Sequence, residues 1–158
     1  MSGLRGIPPV LACSAILGPL VDAGHGETIL IADRGFPFRE YCPSDHIVHV
    51  HGAGIPVIFE AILQLRGLDS TRYNPFPVKM MQILSCDRGN QTLVDVRHVL
   101  QKAIQTIVNG SLPQGEQSDI QQVERLAFYE LARAVSLCIH TDQDVAYGNV
   151  LVSLAGCG

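Results

Sequence analysis

The sequence predicts an α/β sandwich in which helices cover a largely parallel or mixed sheet. Segments with helical apolar spacing alternate with short β-rich runs, the pattern of helices layered on a sheet. No repeat or low-complexity tract breaks the alternation. The chain has 158 residues, 47% of them hydrophobic, which is enough for one domain over 1–158 with its own core.

In chain order, residues 13–23 carry Ile16, Leu17, Leu20 and Val21 at helical spacing, with Gly18-Pro19 weakening the first turn. Gly24-His25-Gly26 breaks this helix. Thr28–Ala32 is a β-rich run suited to a buried strand. Residues 47–51 form a second strand candidate, and Gly52-Ala53-Gly54 turns the chain into a helix over about 56–65, with Pro56 in its first turn. A strand is expected over 78–84. Residues 93–108 place Val96, Val99, Leu100, Ala103, Ile104 and Ile107 at helical spacing, closed by Asn109-Gly110. Residues 110–119 are polar and contain Gly and Pro, which predicts a surface loop. A helix over 124–136 and strands over 137–140 and 150–154, joined by a polar turn, complete the pattern.

Composition excludes several partners. The net charge is −4 and no Lys/Arg cluster exists to neutralise phosphates, so nucleic acid is not expected. Gly, Pro or polar residues interrupt every apolar stretch well before the roughly 18 residues of a spanning helix, so no membrane is expected. Only 16% of residues are charged, leaving surface to bury against further copies, which predicts a homo-oligomer. The five cysteines, Cys13, Cys42, Cys86, Cys138 and Cys157, are odd in number, widely spaced and without a CxxC pair. That usage suits reduced, mostly buried thiols in a cytoplasmic protein. Val10-Leu11-Ala12-Cys13 behind Arg5 has the outline of a lipoprotein cleavage site. Residues 7–12, however, contain Pro8 and Pro9 and fall short of the roughly 7 apolar residues an export signal needs. A loop entering the first helix is expected there.

Four clusters carry side chains suited to chemistry. His25, between two glycines where a helix ends and a strand begins, can project into a cleft and exchange protons near neutral pH. Taken alone, the tripeptide fits a solvent-exposed turn histidine better. Asp33 follows the first strand, and ligands of open α/β sheets bind beyond the carboxyl ends of strands. An Asx-turn capping the strand explains it equally well. Arg125 and Tyr129 are four apart and share a helix face, as a solvated Arg and a half-buried Tyr also would. Tyr147-Gly148-Asn149 offers close ligand approach at Gly and both donor and acceptor groups at Asn, or else a simple turn. His49 and His51 share one face of a strand and could begin a metal site. No Glu-x-x-His or Cys pair completes one, so no metal is expected. Walker-type phosphate loops and nucleophile elbows are absent.

Taken together, the clusters resemble the RbsD/FucU family. Gly24-His25-Gly26-Glu27 followed by Ala32-Asp33 and Phe36-Pro37 is similar to its opening signature. Gly54-Ile55-Pro56, Glu60-Ala61-Ile62-Leu63 and Leu68-Asp69 resemble its next helix, and Arg125 with Phe128-Tyr129-Glu130, then Tyr147-Gly148-Asn149, its C-terminal signature. The match is dense over 24–37, 52–69 and 123–154 and weak over 70–120. The resemblance implies a three-layer α/β/α sandwich, ring-like oligomers that are commonly decamers with sites near subunit contacts, and interconversion of the ring forms of a free monosaccharide without a cofactor. It implies His25 as proton donor and Asp33, Arg125, Tyr147 and Asn149 as sugar-binding positions, and Tyr129, on the helix face of Arg125, is expected to bind the sugar with them. Arg125 is similar to the fucose branch; the ribose branch tends to carry His there. His49 and His51 depart from the Arg and Asp usual in the fucose branch, and Leu131 from its Arg. The alternatives are pyranose–furanose interconversion of ribose and a non-catalytic sugar-binding accessory of transport.

Overall fold

The structure is a computed structural model that describes residues 7–69 and 74–155. Arg5 and Cys157 lie outside the described residues. Six strands form one mixed sheet in the order β2-β5-β1-β6-β3-β4. They are β1 (Thr28–Ala32), β2 (Ile47–Val50), β3 (Val78–Met81), β4 (Gln121–Val123), β5 (Leu137–Thr141) and β6 (Val150–Ser153). β1 pairs parallel with β5 and antiparallel with β6, and β6 alone runs against the other five.

Side-chain alternation along the strands separates two cores, as a pleated sheet requires. Ile29, Ile31, Leu137, Ile139, Val150 and Val152 point to one face. There they meet α1 (Ser14–Asp22), α3 (Ile55–Arg66) and α4 (Gln91–Ser111). Leu30, Ala32, Cys138 and Leu151 point to the other face, covered by α2 (Phe38–Tyr41) and α5 (Arg125–Ala132) through Phe38, Tyr41 and Phe128. The result is the expected three-layer sandwich, a class of architecture set by the need of each apolar face to find a partner.

Local chemistry explains the boundaries. Gly54 precedes α3, Pro56 sits in its first turn, and Gly67 at φ 78° ends it. Asn90 caps α4 by accepting from the Leu93 amide. Glu124 caps α5 by accepting from the Leu126 and Ala127 amides.

The helix expected over 124–136 ends at Ala132, because tight turns through Arg133, Ala134 and Val135 deliver Ser136 N–H to the Thr28 carbonyl at the sheet. The strand expected over 78–84 ends at Met81, and the chain turns at Ser85–Asp87. α4 runs past Asn109-Gly110 to Ser111, because Ile104 and Val108 keep its inner face buried. Its inward stripe is also rotated: Arg97, Leu100, Ile104 and Val108 are buried, while Val96 and Val99 face outward. β4 and α2 were not legible; β4 is a three-residue edge strand of Gln121, Gln122 and Val123, and α2 is a single turn. Among the described cysteines Cys42 and Cys138 are buried, but Cys13 precedes α1 and Cys86 sits in the turn before α4, both exposed.

Candidate functional site

A cleft of about 390 Å³ opens at the carboxyl end of β1, a size suited to a small-molecule ligand. Asp33, Arg125, Tyr129, Tyr147 and Asn149 all line it, so five of the six sequence-predicted site residues converge there.

Asp33 leaves β1 at the point where the strand ends and the backbone must find other partners. Its own amide donates to Asn149 Oδ1 at 2.8 Å. Its carboxylate accepts from Gly35 N–H at 3.0 Å and from Gly148 N–H at 3.2 Å. Asp33 and Asn149 are both almost fully buried. Burial outweighs these amide bonds and pushes the carboxyl up to about 6, so it exchanges protons close to neutral pH.

The turn before β6 is equally constrained. Tyr147 has φ 60°, a left-handed conformation rare for a bulky residue and worth about 1–3 kcal/mol of strain. Gly148 has no room for a side chain: an added Cβ would lie 2.8 Å from the Val145 carbonyl oxygen. The Tyr147 hydroxyl donates to Asp87, a cavity residue. Burial, with Asp87 accepting from the neutral phenol, pushes Tyr147 up to about 12.

Arg125 occupies the first position of α5. A cation gains nothing from the positive end of a helix, so this placement is not explained by helix stability. Tyr129 follows one turn later, stacked on Tyr41 with centroids 4.2 Å apart and edge-on to Phe36 at 5.6 Å. Burial also pushes the Tyr129 phenol up. Asp144 on the cavity rim is bound by Arg34 at 2.9 Å.

His25 is not in this cleft. It precedes β1 while Asp33 follows it, and five strand residues separate the two by about 16 Å. The Gly24-His25-Gly26 loop is shaped by Gly26 at φ 81° and by Glu27, which accepts from Gly24 N–H and Ser136 Oγ. These bonds, Ser136 first, hold Glu27 below the usual carboxylate range. The His25 side chain is 55% exposed, with Nε2 3.5 Å from Asp69 Oδ1. Asp69 is buried and also accepts from Asn74 at 3.3 Å.

His49 and His51 lie elsewhere on β2 and just beyond it. His49 Nδ1 meets His140 Nδ1 at 3.1 Å, and His51 faces Asp142 at 3.8 Å. Burial lowers His140. Among the described residues no three His, Cys, Asp or Glu side chains gather as a metal-ligand set. Sequence reasoning missed Asp87, Asp144 and Arg97. Asp87 and Asp144 sit in polar turns without periodicity. Arg97 left a signal, because it stands three residues before Leu100 on the buried stripe of α4.

A mixed-sheet α/β sandwich with a carboxyl, a guanidinium, phenols and an amide around one cleft at a strand end defines a binder of small polyhydroxylated molecules. The chain belongs to the RbsD / FucU transport protein family, whose model matches residues 5–155. It is similar to the human fucose mutarotase, at 31% identity over 96% of this chain and 93% of that one. It is similar to the L-fucose mutarotase of Actinobacillus pleuropneumoniae, at 30% identity over 94% of each chain. The crystal structure of FucU from Bifidobacterium longum superimposes with a TM-score of 0.78 at 25% identity, covering 98% of this chain and all of that one.

Proposed function

We propose that the protein is a cofactor-independent sugar mutarotase that interconverts the anomers of L-fucose or a related pyranose. The observation that carries this reading is Asp33, a buried carboxyl at the end of β1 that shares one cleft with the Arg125 guanidinium, the Tyr129 and Tyr147 phenols and the Asn149 amide. Opening a cyclic hemiacetal moves only protons: the anomeric hydroxyl loses one, the ring oxygen gains one, and the open aldehyde rotates and closes. A titrating acid and a base on opposite sides of the sugar suffice, and such help contributes about 10²–10⁴-fold. Arg125 and Asn149 hold the sugar by directed hydrogen bonds, and Tyr129 and Tyr147 give the cleft its aromatic walls. Arg125 favours fucose because a planar fork grips two neighbouring hydroxyls.

His25 completes the site from a second copy of the chain. Its place at the opposite end of β1 prevents it from reaching the cleft of its own subunit, and a site shared between copies is what the family resemblance implies. A ring-like homo-oligomer, a decamer, brings the two ends together. Exposed Val96 and Val99 on α4 and Val57 on α3 offer apolar surface for that assembly. The working compartment is the cytoplasm, which suits the free thiols of Cys13, Cys42, Cys86 and Cys138. Among the described residues no helix is long and apolar enough to cross a membrane.

The test is magnetisation exchange between the two anomeric NMR signals of L-fucose, with and without protein, repeated with D-ribose and in the presence of a chelator. Accelerated exchange of L-fucose, faster than for ribose and indifferent to chelator, is expected. Sugar binding without exchange would make the protein a carrier instead.

A further inference from the structure

The buried cation of α4 has no place in the reading above. Arg97 is 2% exposed and lies on the helix stripe that otherwise carries Leu100, Ile104 and Val108. An apolar side chain of similar volume would satisfy that stripe without desolvating a charge. All four of its hydrogen bonds go to neutral acceptors. Nε donates to the Tyr147 carbonyl at 2.7 Å and Nη2 to the Met81 carbonyl at 3.1 Å. Nη1 donates to Gln101 at 2.7 Å and Nη2 also to Gln122 at 2.9 Å. Burial lowers the guanidinium to about 10, which leaves it charged at neutral pH.

What the arginine achieves and an aliphatic residue cannot is a rigid link between two backbone carbonyls, since its donors are fixed in one plane. Both carbonyls belong to residues that line the cleft. One of them, Tyr147, is held in a left-handed conformation that persists only where its surroundings dictate it. The other partner on Tyr147 is Asp87, at the hydroxyl. The residue is therefore gripped at both ends, by a cation behind the cleft and a carboxylate within it.

We infer that Arg97 is a positioning residue for the sugar cleft. Its planar fork locks the backbone of Tyr147 against the end of β3, so that the phenol and the following Asn149 meet the sugar in a fixed orientation. The inference rests on the mutarotase reading for its kinetic consequence but not for its structural one.

Two readouts test it. In protein carrying ¹³C-labelled tyrosine, the Tyr147 ring signal is identified by its loss in Tyr147→Phe. Arg97→Met should shift and broaden that signal and leave Tyr41 and Tyr129 in place. In a double-mutant cycle, Arg97→Met should slow anomeric exchange by about tenfold or more in the native background. In the Tyr147→Phe background the further loss should be clearly smaller, because only the part of the effect that runs through Asn149 remains. Arg97→Lys keeps the charge but cannot span two carbonyls, so it should disturb Tyr147 in the same way; it serves where Arg97→Met does not fold. An unmoved Tyr147 signal, or equal losses in both backgrounds, would overturn the inference and make Arg97 a prop of the core. If the native protein exchanges no sugar, the mutarotase reading fails, and the Tyr147 signal still decides the role of Arg97.

Discussion

Replacing Asp33 with Asn should change how stability depends on pH. Burial raises this carboxyl from its ordinary 3.8 to about 6. Each tenfold change in proton affinity corresponds to about 1.4 kcal/mol, so holding Asp33 ionised in the fold costs about 3 kcal/mol. Because the folded value is the higher one, the folded protein binds more protons than the unfolded chain between the two. The contribution is fully present below about pH 3.8 and is lost as pH rises through about 6. Asn carries no charge but presents one oxygen where Asp33 presents two, to Gly35 N–H and Gly148 N–H. Leaving one of these amides unmatched costs about 1–3 kcal/mol at every pH. That constant cancels when pH values are compared. The stability difference between Asp33→Asn and the native protein should therefore move by about 2–3 kcal/mol in favour of the variant between pH 4 and pH 7. Urea unfolding followed by circular dichroism at fixed protein concentration measures it. The same variant should lose anomeric exchange at pH 7, where its stability suffers least. A stability difference that stays constant across this range would refute the reasoning, because Asp33 would then titrate as an ordinary aspartate.

Three further outcomes are expected. His25→Ala should lose about 10²–10⁴-fold in exchange while each chain stays folded, since the side chain is half exposed on a loop of its own subunit; equal exchange rates would remove His25 from the reaction. Gly148→Ala should destabilise by about 1–3 kcal/mol and weaken sugar binding, because its Cβ meets a backbone carbonyl that cannot retreat; calorimetry with and without sugar measures both. Arg125→His should slow exchange of L-fucose by about tenfold more than that of D-ribose, through loss of charged hydrogen bonds; equal slowing of both sugars would show that Arg125 does not set specificity.

Much of this protein was legible because its strands obey simple rules. Thr28–Ala32 is an unbroken β-branched and aliphatic run, and the strand occupies those residues. α3 announces itself by Gly54-Ile55-Pro56 at one end and Gly67 at the other. Elements stabilised mainly by their neighbours left no such mark. β4 exists because Lys79, Met80 and Met81 of β3 offer it a parallel edge, and its Gln-Gln sequence has no strand preference of its own. The α4 stripe misled because valines at 96 and 99 imitate a core face, whereas the buried position between them is an arginine, three of whose four partners lie 16 to 50 residues away. The cleft residues were legible one by one as turn and cap chemistry. Their convergence came from the fold, which sets the ends of β1, β3 and β6 beside the first turn of α5. The separation of His25 from this cleft was already implicit in the sequence, because His25 precedes β1 and Asp33 follows it.

If one copy's cleft works with the His25 of another, mixed oligomers of two inactive variants regain activity. Asp33→Asn and His25→Ala chains, each inactive alone, are co-expressed with separable tags, and assemblies carrying both tags are assayed for anomeric exchange of L-fucose. With random assembly, about one site in four pairs an intact Asp33 cleft with an intact His25 from the neighbour. The mixed oligomers should recover roughly a quarter of the native exchange rate. Mixed oligomers as inactive as either parent would mean that His25 does not act on a neighbour's cleft.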